Sequence, residues 1–273
     1  MSGIISFNSN WLQYNGAVVG ASEYDPLNPL NLPAWTVRVR FSQGYTPAMG
    51  DERVLVDAQD NIWDITVTRP AFIGLFDYNS SLQEVLGANA TGIQAMNIMF
   101  RGCTHITTVP LFDTSTVTNI SGMFEGCTGL TSVPLFDTSS VVFMDGFFRN
   151  CTSLASVPLF NTSSVTDISG LFSGCSSLTT SPLFDTSSVR DMSGMFYGCS
   201  ALTSIPLFDT SSVTTMYQTF QGCHNVQTGA LALYQQASTQ TTPPSNHTYA
   251  FNNTGINTVT GSQELAQIPS DWK

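Results

Sequence analysis

The sequence predicts an α+β, β-rich fold in which a solenoid of repeated coils lies between a small N-terminal antiparallel β domain and a C-terminal cap. Three observations predict it. Six cysteines recur at one constant interval, the step from Cys103 to Cys127, and a phenylalanine stands three positions before each of them. The segments on either side lack this period. Self-similarity at a fixed period is the sequence signature of stacked repeats.

Composition excludes several classes of protein. The 273 residues are enough for one large or two ordinary domains, and because 42% of them are hydrophobic, a buried core can form. Only 10% are charged, and 8 Lys and Arg against 19 Asp and Glu give a net charge of −11. This balance argues against nucleic-acid binding and against docking on an anionic membrane. No apolar run approaches the roughly 18–20 residues of a membrane span, so we expect no membrane insertion.

Each coil has its own internal order. Residues 130–136 alternate between apolar and polar side chains and predict a short strand. Residues 137–140 have turn chemistry, and apolar side chains within 141–148 fit one face of a short helix. A coil of strand, turn, short helix and turn is the geometry of a leucine-rich repeat. Five coils start at Met99, Met123, Phe147, Leu171 and Met195, and a degenerate sixth starts at Thr219.

The cysteine column predicts a ladder of free, buried thiols, because identical positions in successive coils stack in register and free cysteine behaves as a small apolar residue. An even number also suits disulfides, although parallel Cβ vectors oppose the required dihedral angle. A metal site is less well supported, since no paired CxxC spacing occurs and His105 and His224 fit incidental surface positions. The column consists of Cys103, Cys127, Cys151, Cys175, Cys199 and Cys223.

An acidic column follows the predicted strand. A carboxylate or amide that recurs once per coil predicts a turn residue that bonds its own backbone. A ladder of calcium sites is the alternative, but the asparagine in the middle coil suits hydrogen bonding at least as well. The column consists of Asp113, Asp137, Asn161, Asp185 and Asp209.

The columns that vary between coils are where a repeat protein carries specificity, although each of them also suits plain solvated surface. The residue after the column phenylalanine is Arg101, Glu125, Arg149, Ser173, Tyr197 or Gln221. A second variable pair occupies 118–119, 142–143, 166–167, 190–191 and 214–215. Thr, Ser and Ala dominate a third set, which predicts a flat hydroxylated face for a glycan or a protein: 107–108, 131–132, 155–156, 179–180 and 203–204. No individual ligand-binding residue is predicted.

Four segments follow from these patterns. Residues 1–78 form the β domain, an anchor or a cap, and residues 79–98 a helical lead-in that Ser81 caps. Residues 99–226 form the solenoid, and residues 227–273 close its open end. Strands are predicted at 35–41, 54–56 and 62–67, and helices at 230–236 and 263–267. Core packing is predicted for Trp11, Trp35 and Trp63, with a sugar-stacking platform as the alternative.

The pattern MFxGCxxLTSVPLFDTSSVTDMSG resembles the BspA-like leucine-rich-repeat family. The resemblance covers about half of the chain, and the segment WTVRVRFSQGYTP…NIWDIT resembles the leader of its phage-type members more weakly. The family implies recognition outside the cell, by adhesins and by repeat proteins of phages and prophages, and no enzymatic activity. In the closing segment, Ala250 and Phe251 echo the Met-Phe of the repeat, with Asn253 where the cysteine would fall.

Three functions remain open. The first is a bacteriophage virion protein on the particle surface, which contacts other virion proteins through its N-terminal domain and a host glycan or protein through the solenoid. The absence of a signal-peptide pattern at the start and the free cysteines favour it. The second is a bacterial cell-surface adhesin, and the third an enzyme that joins Asp51, Glu52, Asp57 or Asp64 to a histidine. No catalytic motif is present, and we predict no catalytic residue, cofactor or metal; oligomerisation stays open.

Overall fold

The computed structural model describes residues 7–8, 11–14, 17–20, 28, 30, 32–48 and 52–273. Asp51 and the side chain of Trp11, both named above, lie outside the described part of the chain. The fold is β-rich, with small antiparallel sheets at the N-terminal end, a long region of stacked repeats, and two α-helices near the C-terminus.

Two antiparallel sheets come first in the chain. The three-stranded sheet has the order β1-β2-β3, and the four-stranded sheet has the order β5-β6-β4-β7. Strand β4 is central, because it pairs with β6 on one side and β7 on the other. The strands are β1 Phe7–Asn8, β2 Trp11–Tyr14, β3 Ala17–Gly20, β4 Thr36–Phe41, β5 Glu52–Asp57, β6 Ile62–Thr66 and β7 Leu82–Asn89.

Alternation in β4 places its apolar residues in the core. Val37, Val39 and Phe41 are buried, as the sequence predicts, and the strands predicted in the N-terminal domain are confirmed. Trp35 and Trp63 are partly buried and pack against the core, which favours the core interpretation of these two side chains. Their indole N–H groups donate inside the protein, to the carbonyl of Thr91 and to the side chain of Asn61.

The helical lead-in predicted for residues 79–98 is wrong. Residues 82–89 form strand β7, which pairs antiparallel with β4 and extends the sheet beyond the predicted boundary at residue 78. Ser81 provides no helix cap; its carbonyl accepts a hydrogen bond from the N–H of Ser42 instead. Leu82, Val85 and Ala88 are buried by the sheet. Pairing with β4, rather than the local spacing of apolar residues, therefore determines the secondary structure of this segment.

The repeats stack upon one another. Single-residue parallel bridges join equivalent positions of successive repeats, from Ala71 and Ala95 through to Asp191 and Thr215. Inside the stack, phenylalanine rings of successive repeats lie nearly parallel, with centroids 5.4–5.8 Å apart. This phenylalanine column consists of Phe76, Phe100, Phe124, Phe148, Phe172, Phe196, Phe220 and Phe251.

A strand and a short helix in every coil are not what the structure shows. Residues 90–229 contain neither an α-helix nor a strand longer than a single bridge. Gly146 has φ +59° within the segment predicted as helical, which interrupts a helix. The N–H of Gly146 donates to the carbonyl of Ser169 in the next coil, so hydrogen bonds between coils replace those of a helix.

The same turn occurs eight times, with two left-handed residues in each, and so extends beyond the predicted range 99–226 on both sides. The first has Gly74 and Tyr78 at these positions, and the last has Tyr249 and Asn253. In the last turn, the buried Thr254 takes the place of the cysteine, not Asn253. Its hydroxyl donates to the carbonyl of Phe220, as the thiol of Cys223 donates to that of Phe196.

Two helices lie in the C-terminal segment. They are α1 Ala230–Thr239 and α2 Val259–Gln267, as predicted, and a 3₁₀ turn follows at Ser270–Trp272. The side chain of Thr258 caps α2 by accepting the N–H of Gly261. The ring of Trp272 lies 6.2 Å from that of Phe251 and covers the last phenylalanine of the column. In the described part of the chain, no helix has both the length and the apolar character to cross a membrane.

Candidate functional site

The repeated turn fixes the positions of the variable residues. In one such turn, the N–H groups of Gly122, Phe124 and Gly126 donate to carbonyls of the next turn along the stack. Gly126 bonds to Arg149 at 2.7 Å, and Gly122 bonds to Asp145 at 2.8 Å. Because equivalent bonds recur in the other turns, the side chains of two columns stack in register on one surface. This variable face is formed by 97, 121, 145, 169, 193 and 217 together with 101, 125, 149, 173, 197 and 221.

Charges of alternating sign occupy one end of the variable face. Arg101 makes two hydrogen bonds to the carboxylate of Asp77, at 2.8 and 2.6 Å. Donating these hydrogen bonds to Asp77 raises the pKa of the Arg101 guanidinium, which is also 5.0 Å above the ring of Tyr78. Further along, Arg149 lies 3.9 Å from Glu125. A column of mixed sign suits ligands with both polar and ionic groups better than a polyanion.

A cleft of about 210 Å³ opens between these charges. Ser121 donates a hydrogen bond to Asp145 across its wall. The guanidinium of Arg149 lies over Gly170, so a Cβ at that position would displace the arginine side chain. The cleft is lined by Asn97, Ile98, Arg101, Ser121, Gly122, Glu125, Asp145, Gly146 and Arg149, so its lining holds no histidine or cysteine.

Tyrosines replace the charges at the other end of the variable face. Tyr197 and Tyr217 occupy the columns that hold Arg149 and Asp145 nearer the N-terminus, and both are exposed. The ring of Tyr217 lies 6.4 Å from that of the exposed Tyr249. Tyrosine and arginine are the residue types enriched at the energetic centres of protein interfaces. Sequence reasoning recorded the variable column that holds Tyr197, but it missed the column that holds Tyr217. It also missed Tyr249, which joins the face only through an irregular last repeat.

The other two variable sets have different roles. The second position of the predicted variable pair forms the parallel bridges between coils, for example between Asn119 and Phe143. The predicted hydroxylated face is mostly exposed, and part of its hydroxyl chemistry is used within the protein. Three threonines of this face, Thr131, Thr179 and Thr203, donate to carbonyls of the preceding coil.

The cysteine column is buried and free of disulfides, as predicted. Each thiol donates to the carbonyl of a phenylalanine in the preceding coil, for example from Cys151 to Phe124 at 3.0 Å. Burial raises the pKa of all six thiols, and it raises those of Cys103, Cys175 and Cys223 to about 12. The thiols are therefore protonated at neutral pH and are structural rather than nucleophilic.

The acidic column has the predicted turn role. Oδ1 of Asp137 accepts both the N–H and the hydroxyl of Ser139, and these bonds lower the pKa of Asp137. Asn161 makes the same pair of bonds with Ser163, which explains why an amide serves equally well in the middle coil. Among the described residues, no group of three or more His, Cys, Asp or Glu side chains is placed to hold a metal ion.

The acids considered for an enzyme have structural partners. Asp64 makes a double hydrogen bond with Arg38, and Asp57 accepts the backbone N–H of Gln59. Glu52 is exposed on the edge strand β5. The hydrogen bonds and ion pairs of these described acids involve no histidine. His247 stacks instead on Trp272, with ring centroids 4.1 Å apart.

A family model described as "Mycoplasma protein of unknown function, DUF285" matches residues 71–180 and 179–255. The matched range begins at Ala71, where the first parallel bridge forms, and ends one residue after Thr254 in the last repeated turn. No curated protein and no solved structure matches the chain.

Proposed function

This chain belongs to the DUF285 family, and we propose that it is a non-enzymatic recognition protein of the BspA-like leucine-rich-repeat type. In this proposal the stacked repeats are a solenoid that binds a host-surface glycan or protein through the variable face. The protein is a structural and recognition component of a bacteriophage virion, to which the N-terminal domain attaches it through other virion proteins.

One observation carries the proposal: the repeats are nearly alike inside and differ where their side chains meet solvent on one face. Phe148 and Cys151 have buried counterparts in the neighbouring coils, whereas the Arg149 column changes to serine and then to tyrosine. A scaffold needs only the first property. The second, with arginine and tyrosine gathered on one surface, is typical of a binding surface.

Six unbridged thiols support a virion protein. Disulfides persist in oxidising compartments and are rare where thiols are kept reduced. A virion component folds in the host cytoplasm before release, and six protonated, buried cysteines suit that route.

A second candidate is a bacterial cell-surface adhesin; the family description names Mycoplasma, a bacterium, with no location or function. Quantitative peptide mass spectrometry of purified phage particles and of host cell-surface fractions separates the two. Enrichment in particles is the expected result. Enrichment on cells, with none in particles, would overturn the virion assignment and leave the adhesin.

Binding through the variable face is tested on a glycan array and on host-cell envelopes with the full chain. We expect Arg149→Ala and Tyr197→Ala each to reduce binding about tenfold, as at other interface centres. Thr131→Ala, on the exposed hydroxylated face, is the matched control and should bind normally. Equal binding by all three variants would contradict the assignment of this face.

A further inference from the structure

A row of leucines lies on the surface of the repeat stack, and none of them belongs to the two columns of the variable face or lines its cleft. Each leucine follows the repeat's proline and precedes a buried phenylalanine, and the five side chains are 39–60% exposed. This leucine row is Leu111, Leu135, Leu159, Leu183 and Leu207. Single exposed leucines are ordinary, but a continuous apolar patch on a soluble protein marks an interaction surface.

The backbone turns these side chains outward. The N–H of Phe136 donates to the carbonyl of Pro134, two residues earlier, so Leu135 is the central residue of a γ-turn. The same bond places Leu183 and Leu207 at the apex of their turns. The turn directs the following phenylalanine into the core and leaves the leucine on the surface, where packing imposes no apolar side chain.

An acidic row accompanies the leucine row. Each residue of the acidic column stands two positions after a leucine of the row. Asp137, Asp185 and Asp209 are exposed, as are the leucines that precede them. Hydrogen bonds from the following serine hydroxyls lower the pKa of Asp137 and Asp185, which keeps both carboxylates ionised at neutral pH. An apolar row beside a row of anions is complementary to an apolar stripe beside cations.

The spacing of the row favours a helix over a strand as its partner. Ring centroids of successive coils are 5.0 Å apart for Phe112 and Phe136, next to the leucines, and 5.4–5.8 Å apart in the phenylalanine column. A helix advances about 5.4 Å per turn and presents one apolar residue per turn on a stripe. At the 5.0 Å spacing beside the leucines, a helix would run about 2 Å past the row over four intervals. A strand, which repeats its side chains about every 6.6 Å, would run about 6 Å past it.

We propose that the leucine row binds an amphipathic helix of a partner protein, with about four turns in contact and with lysine or arginine beside its apolar stripe. The apolar side chains of the helix lie between successive leucines, and its cations face the acidic row. This surface is separate from the variable face, so the inference does not depend on the proposed function.

Charge disfavours two other occupants. A second copy of the chain would bring its own acidic row to the interface, and the chain has only 8 Lys and Arg for 19 acids. An anionic membrane would be repelled by the same carboxylates. Both remain outcomes that the test below can report.

The test uses the full chain and a labelled helical peptide of about 18 residues that contains only Leu, Ala and Lys, with leucine on one face. Fluorescence anisotropy at low salt measures the dissociation constant. We expect the triple variant Leu135→Ser, Leu159→Ser, Leu183→Ser to weaken binding about tenfold or more, because three exposed apolar contacts are lost. The net charge of −11 does not change, so a loss cannot come from weaker long-range attraction.

Four controls decide the outcome. Val259→Ser removes an exposed apolar side chain elsewhere, on α2, and should leave binding unchanged. A peptide of the same composition in scrambled order, and one with Glu in place of Lys, should bind much more weakly to the natural chain. Asp137→Asn with Asp185→Asn should weaken the lysine peptide and reduce its salt dependence.

Equal binding of the peptide by the triple variant and the natural chain would overturn the proposal. Sedimentation of the natural chain as a dimer that the triple variant abolishes would replace the helix with a second copy. Flotation with neutral phosphatidylcholine vesicles that requires the three leucines, without peptide binding, would replace it with a lipid surface. Thermal unfolding of each variant shows that folding is retained, which the exposure of the leucines leads us to expect.

Discussion

Neighbouring residues in the chain follow opposite rules. The phenylalanine column is buried and keeps its identity from coil to coil, and its rings stack 5.4–5.8 Å apart. The residue directly after it changes from Arg101 to Glu125, Arg149, Ser173 and Tyr197. The comparison teaches that one repeat separates stability from recognition within two adjacent positions. Substitutions in the buried columns should therefore lower the stability of the fold, and those on the variable face should mainly change binding.

The largest expected effect comes from pH and acts through the buried cysteine column. Burial raises the pKa of each thiol from 9.0, to about 12 for Cys103, Cys175 and Cys223. A raised pKa in the folded state gives stability that is fully present below pH 9 and is lost as the pH rises toward 12. Each thiol should cost about 1.4 kcal/mol of unfolding free energy per pH unit in that window. Six thiols together should therefore unfold the protein in the lower half of this pH window, closer to pH 9 than to pH 12.

Urea unfolding at several pH values from 7 to 11 measures this loss. A Cys103→Ala chain has one thiol fewer, so its stability should fall less steeply with pH than that of the natural chain. Parallel curves for the two proteins would assign the alkaline unfolding to groups other than the thiols. At pH 8, native protein should show no thiol that reacts with a disulfide reagent, and urea-unfolded protein should show all six.

The next largest effect compares two phenylalanines that are close in the chain. Phe148 is fully buried in the phenylalanine column, whereas Phe143 is 47% exposed. Phe148→Ala should lower the unfolding free energy by about 3–5 kcal/mol, because it leaves a cavity between two stacked rings. Phe143→Ala should cost about 1 kcal/mol or less. Equal losses in urea unfolding would show that the division between inside and outside is not energetic.

In the repeats, the interior could be predicted from the sequence and the local backbone could not. Recurrence at a constant interval placed Phe148, Cys151 and their equivalents in the core, because a repeat can bury its apolar residues only against its neighbours. The short helix predicted around Gly146 is absent, since that pattern of apolar residues also fits a turn whose hydrogen bonds reach the next coil. The pattern of apolar residues within one segment does not show which carbonyl accepts a backbone N–H when that carbonyl lies in another coil.

The same limit applies to the candidate site. The variable column that holds Arg149 was visible in the sequence, but the cleft depends on that side chain lying over Gly170, at the start of the following turn. The exposure of Leu135 also could not be predicted, because a leucine that recurs in every coil suggests a buried position. Only the γ-turn at that position explains why it faces outward.

A smaller effect tests whether the glycine below Arg149 positions that side chain in the cleft. Gly170 and Gly198 are both left-handed, at φ +62° and +70°, so an alanine at either should cost about 1 kcal/mol. A Cβ at Gly170 would also displace the guanidinium of Arg149, whereas a Cβ at Gly198 has open space. Gly170→Ala and Gly198→Ala should therefore lower the melting temperature equally. Only the first should shift the Nε–H signal of Arg149 in the NMR spectrum; a shift in both would show that the backbone, not the Cβ, positions this side chain.

The smallest expected effect concerns the ion pair between Arg101 and Asp77 on the variable face. Its geometry is bidentate, but both side chains are more than a quarter exposed. Solvent and salt screen such pairs, so Arg101→Gln should change the unfolding free energy by less than about 1 kcal/mol. A double-mutant cycle with Asp77→Asn isolates the coupling, which should decrease further at high salt. A coupling as large as the loss from Phe148→Ala would mean that this end of the variable face holds the repeats together and is not reserved for binding.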